Sequence, residues 1–204
     1  MGRAPQLANR TTSANHVDPQ EMSLPGDSGF WMFIAADASL FALLFFQFSR
    51  DRSSQSVVFD EGQQHLTVLL GTVNTLVLVT SSWLMASAVR SLHRNAVRTG
   101  MRLIAGTAAL GLVFAAVKIA EYVLALRSGH TLSTSPFFMY YFVITGIHLV
   151  HLMIGVVVLV VVGWRLRVGI RRPSDRTLLE CGTVYWHLVD LLWMFIFPML
   201  YLAR

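Results

Sequence analysis

Seven ionisable side chains stand inside apolar stretches of this chain, and six of them are spaced in pairs. His187 and Asp190 are three residues apart in YWHLVDLLW, His148 and His151 in TGIHLVHLMIG, and Lys118 and Glu121 in KIAEYV, while Asp37 stands alone in AADAS. A separation of three puts both members of a pair on one helix face. A histidine beside a carboxylate can relay a proton or help hold a metal, two histidines can address a haem, and a lysine beside a glutamate is most simply a self-neutralising pair. No set of these residues makes a complete catalytic constellation, and none is assigned to catalysis or to a metal.

The elements that must position them follow from composition. Of 204 residues, 54% are hydrophobic and only 13% charged, with a mean hydropathy of +0.57, which departs from soluble domains toward membrane proteins. The apolar residues fall into five runs, about 29 to 49, 66 to 89, 103 to 126, 137 to 163 and 181 to 203, each near the roughly 20 residues that cross a bilayer as a helix. The expected fold is therefore all-α, a polytopic five-helix transmembrane bundle over 29–204. Residues 1–28 contain Arg3, Pro5, Asp18 and Pro25 without a continuous apolar core, so they read as a polar tail and not as a cleaved signal.

A net charge of +5 could suggest nucleic acid, but the arginines lie between the spans. Arg90, Arg94, Arg98 and Arg102 follow the second run, and Arg165, Arg167, Arg171, Arg172 and Arg176 follow the fourth. The positive-inside rule puts these two connections in the cytoplasm, with the N-terminal tail cytoplasmic and the C-terminus outside. Their arginines are expected to meet anionic headgroups. Cys181 is the only cysteine, so an intrachain disulfide, a cysteine-pair zinc site and an iron–sulfur cluster are excluded.

Counting about 1.5 Å per residue from the cytoplasmic boundaries gives two polar layers. Asp37, Ser81, His187 and Asp190 fall at about 9 to 14 Å, and with Ser82 they form an expected polar cluster, for interhelical fastening or for proton handling. Asn74, Lys118, Glu121 and His148 fall at about 22 to 27 Å, with His151 near 18 Å, a second layer available for packing or lipid contact. His148 is roughly 12 Å from the depth of His187, which argues against a bis-histidine haem. Pro198 should kink the last span near its end. Trp186 and Tyr122, Tyr140, Tyr141 and Tyr201 read as markers of the membrane boundaries.

In order along the chain come GFWMFIAADASLFALLFFQF, NTLVLVTSSWLMASA, EYVLALRSG, FFMYYFVITGIHLVHLMIG and YWHLVDLLWMFIFPMLYL. The sequence resembles subunit III of the haem-copper oxidases, in particular short bacterial members with five spans. The resemblance implies a non-redox subunit in a bacterial plasma membrane that packs on a haem-bearing catalytic subunit. It implies haem and copper in partner subunits only, structural phospholipid in a cleft beside the first helices, and a supporting role in proton uptake and durability. Asp37 stands where the family usually has a membrane glutamate. Leu149, where many members have glycine, gives the chain a further likeness to subunit III-like proteins of nitric oxide reductases. A stand-alone proton or ion carrier is the rival from another class.

Overall fold

The computed structural model describes residues 28–169 and 173–203, the side chains of 173–176 aside. The polar tail expected over 1–28 and the connection bearing Arg171 and Arg172 lie largely outside these residues. Six helices follow in order: α1 (Ser28–Ser54), α2 (Ser56–Gln64), α3 (Val68–His93), α4 (Val97–Arg127), α5 (Pro136–Val168) and α6 (Pro173–Phe197), with a π-helical turn at Pro198–Leu202 closing α6. Five are long and apolar enough to cross a membrane: α1, α3, α4, α5 and the stretch Thr177–Leu202. Low charge density makes this possible, since within hydrocarbon each backbone polar group must be satisfied inside its own helix.

The turns carry conventional local signals. Ser135 caps α5 by accepting a hydrogen bond from the Phe138 backbone N–H, with Pro136 in the first helical turn where no amide partner is missed. The α3–α4 turn reverses through Asn95 at φ 58°, a left-handed conformation that asparagine tolerates better than most residues. At the far end of α6, Pro198 lacks the amide for the regular ladder, and the helix passes into the wider π turn. That turn brings Tyr201 inward, to 2% exposure.

Helices α3, α4, α5 and α6 close into a ring in which each packs on two of the others, and α1 lies outside it, against α2, α5 and α6. Burial reflects this arrangement: only 11% of the apolar window of α1 is buried, against 28 to 44% for the other four spans. Lipid tails are as apolar as leucine, so close contact and hydrogen bonds, not exclusion from water, must hold such helices together. Gly111 illustrates the closeness. A β-carbon there would lie 2.7 Å from Cη2 of Trp186, whose ring is wholly buried. Gly62 on α2 is tighter still, with the Phe137 ring in the space a side chain would need.

Candidate functional site

The polar side chains in the spans fall into three places, and the ring of helices decides which belong together. The first is the α1/α5 seam. His151 on α5 donates through Nε2 to Asp37 Oδ1 on α1 at 2.9 Å, its Nδ1 lies 2.8 Å from the Ile147 carbonyl one turn back, and the Phe41 ring packs edge-on against it. Tyr185 of α6 donates to the His151 carbonyl at 3.1 Å. Asp37 is one of only three buried residues on α1, with Phe41 and Phe48. The bond to His151 is thus the polar fastening of the middle of α1, while nearer its end Tyr140 of α5 donates to Asp51 Oδ2 and Arg52 pairs with Asp60 of α2; Asp37 Oδ2 is buried without a partner among the described residues.

The second place is the ring interior nearer the α2 end. Lys118, 1% exposed, donates to Glu121 Oε2 at 2.7 Å, Tyr201 OH at 3.0 Å and Tyr141 OH at 3.2 Å. These three bonds use every proton of its ammonium. Tyr201 OH donates in turn to Glu121 Oε2 at 3.0 Å, and the ammonium lies 4.7 Å from the centre of the Tyr141 ring. Three helices, α4, α5 and the end of α6, are tied at one cation. Beside it Tyr122 and Thr145 share a 2.6 Å hydrogen bond. His148, fully buried, lies edge-on to Phe114 and tilted on Trp193, and neither of its ring nitrogens has a partner among the described residues. Asn74 is equally enclosed, with its amide unpartnered.

The third place is the α3/α6 groove. Ser82 Oγ and His187 Nδ1 share a 2.7 Å hydrogen bond, and Asp190 lines the same groove with Trp83 and Met194. Asp190 is 7% exposed, and among the described residues Ser82 is the one hydrogen-bonding neighbour of its carboxylate, which is otherwise unpartnered. An ionised carboxylate at this depth costs a few kcal/mol unless something pairs it.

The first expected layer is therefore divided. Asp37 bonds His151, on the outer side of α5, while His187 bonds Ser82 across α3 and α6. Ser81 turns into the ring instead: it accepts from Trp186 Nε1 at 3.2 Å and donates to the Leu78 carbonyl. Adjacent residues on a helix point about 100° apart, so Ser81 and Ser82 serve different neighbours. In the second layer Lys118 and Glu121 are joined, whereas His151 belongs with Asp37. Trp186 is a core residue with 0% exposure, not a boundary marker, and Tyr141 and Tyr201 are ligands of a buried cation. Depth counting could not find those tyrosine roles, because tyrosine at a span end is also what a lipid interface selects.

His151 and His187 are bonded to Asp37 and Ser82 on different sides of α6, and aromatic rings flank His148. Among the described residues no three His, Cys, Asp or Glu side chains are grouped to hold a metal ion. What the three places can do is hold helices together, store or pass protons through carboxylate–imidazole and tyrosine hydrogen bonds, and meet lipid or protein along the α1 seam and the α3/α6 groove. The class so defined is an all-helical protein with five candidate membrane spans, a closed four-helix ring, a peripheral first span and buried polar ties.

Comparison with known proteins narrows the class. A family model described as cytochrome c oxidase subunit III matches residues 10–203. A cytochrome c oxidase subunit 3 of Synechocystis sp. is 32% identical over 175 residues, covering 85% of this chain and 74% of that protein. A quinol oxidase subunit 3 of Bacillus subtilis is 31% identical over 176 residues, covering 85% of each chain. A heme-copper oxidase subunit I+III of Aeropyrum pernix is 27% identical over 183 residues, which are 86% of this chain and 22% of that longer protein. The chain belongs to the cytochrome c oxidase subunit III family.

Proposed function

We propose that this chain is the non-redox subunit III of a respiratory haem-copper oxidase, packed in a bacterial plasma membrane against a catalytic subunit that carries the haem and copper. The observation that carries the reading is the family match across residues 10–203, joined to a set of polar side chains committed to fastening helices. The Aeropyrum pernix relative, named as subunits I and III in one polypeptide, supports a direct contact between the two. An oxidase is preferred to a nitric oxide reductase because the relatives above carry oxidase names. The arginine-bearing connections α3–α4 and α5–α6 then face the cytoplasm, with the C-terminus outside.

In this reading Asp37 and His151 form a proton-exchanging pair on the seam of the loosely packed α1, where phospholipid also lies, and they support proton uptake by the neighbouring subunit. Ser82, His187 and Asp190 form a second such group on the opposite side of α6, braced from inside by Ser81. Lys118 and Glu121, with Asn74 and His148 near them in depth, keep the ring rigid, so the catalytic subunit is durable during turnover. The test is co-purification after mild solubilisation. A large subunit with haem and copper should accompany the chain, and Asp37→Asn should change turnover per assembled complex. Purified chain that drives proton flux alone into liposomes, lost on Asp37→Asn, would favour a stand-alone carrier instead.

A further inference from the structure

Asp190 is the carboxylate, among the described residues, whose two oxygens are both buried and whose one hydrogen-bonding neighbour is Ser82, a hydroxyl already shared with His187, so at least one oxygen is left without a donor. Asn74 and His148 also have orphaned polar atoms, but they are enclosed in the helix ring at 0% exposure, where no outside molecule reaches them. Asp190 differs because it lines a groove of about 380 Å³ between α3 and α6. The shoulders of that groove face outward: Trp83 is 64% exposed and Leu191 53%. Ala86 in its lining is small enough to let another helix backbone approach.

We propose that this groove seats a transmembrane helix of the catalytic subunit, and that the helix presents a hydrogen-bond donor to Asp190 near mid-membrane. The proposal rests on the reading of the chain as an oxidase subunit. Depth selects the occupant. Asp190 lies midway along the span Thr177–Leu202, roughly 18 Å from either end at about 1.5 Å per residue. Phospholipid headgroups do not reach that level, and acyl chains carry no donor. Irregular backbone exposed to lipid is excluded there, so any further donor, beyond Ser82, would arrive on a helix. A serine, threonine, asparagine, tryptophan or arginine side chain would complement the carboxylate, and the Ser82–His187 bond beside it offers a second polar contact.

The test uses the full chain co-expressed with its catalytic subunit, with the photo-crosslinker p-benzoylphenylalanine at Leu191 and, as a control on another face, at Val160. Crosslinking from Leu191 to a helix of the haem-bearing subunit is expected. Asp190→Leu should reduce the chain retained on the complex about tenfold and Asp190→Asn less. Asp190→Asn, which keeps an acceptor for Ser82, should leave the unfolding midpoint of the isolated chain unchanged. Crosslinks from Val160 but not Leu191, crosslinks from Leu191 only to lipid or a second copy, or unchanged retention of both variants would overturn the groove assignment while leaving the oxidase reading intact. Wild-type chain that retains no haem-bearing subunit would instead overturn the oxidase reading and this proposal with it.

Discussion

Replacing Glu121 by glutamine tests how the buried Lys118 cation is held. The substitution is nearly isosteric and keeps both tyrosine hydroxyls in place, but it removes the only counter-charge bonded to an ammonium that is 1% exposed. Removing one member of a buried ion pair typically costs about 3–5 kcal/mol, because the remaining charge is stranded, whereas removing both charges together is often close to neutral. Glu121→Gln should therefore destabilise by about 3–5 kcal/mol, and Lys118→Met with Glu121→Gln by far less than the two single changes added. Tyr201→Phe, which deletes one bond to each partner, should fall between, at about 1.5–3 kcal/mol for bonds to charged groups. Equilibrium unfolding in mixed detergent, run as a double-mutant cycle on all four chains, reads the coupling directly. Additive effects of Lys118→Met and Glu121→Gln would refute the reasoning, as would a silent Glu121→Gln.

Three further expectations concern the rest of the bundle. Asp37→Asn should weaken the attachment of α1 by about 1 kcal/mol, in the range of interhelical hydrogen bonds in membranes; the same unfolding assay should give His151→Leu a similar cost and the double variant little more. Gly111→Ala should cost about 1–3 kcal/mol by overpacking against the immobile Trp186 ring, and Trp186→Phe in the same chain should recover part of it, read from thermal aggregation midpoints. Trp193→Phe removes the 3.0 Å bond from Nε1 to Thr75 Oγ1. It should cost more than the roughly 1 kcal/mol of that bond, because truncating the buried indole also leaves a cavity, with Thr75→Val giving about 1 kcal/mol in denaturant titration.

Spanning helices are legible in a single chain because lipid demands an unbroken apolar run, and the five found are the five expected from composition. Their ends were less legible: α4 starts at Val97 and α5 runs to Val168, beyond the apolar runs, since arginine-bearing turns continue the helix outside hydrocarbon. Helix α2 (Ser56–Gln64) escaped notice because only Val57, Val58 and Phe59 are apolar in it. The pairing of Lys118 with Glu121 was readable from spacing, being local to one helix. Partnerships between helices were not. Depth along a helix can be counted, but the direction a face points depends on which neighbour stands there, so Asp37 finds His151 while Ser81 and Ser82 part company. Trp186, Tyr141 and Tyr201 share the chemistry that suits both a lipid interface and a buried donor, and only the packed structure distinguishes the two.

The proposed role, support of a redox enzyme by a chain without redox chemistry of its own, can be tested directly. The most direct measurement is the reduced-minus-oxidised spectrum and metal content of the purified complex before and after this chain is stripped away with detergent, followed through continuous turnover. All haem and copper are expected to stay with the remaining subunits, and the stripped enzyme to start active but inactivate sooner. Haem or copper leaving with the chain in stoichiometric amount would contradict it.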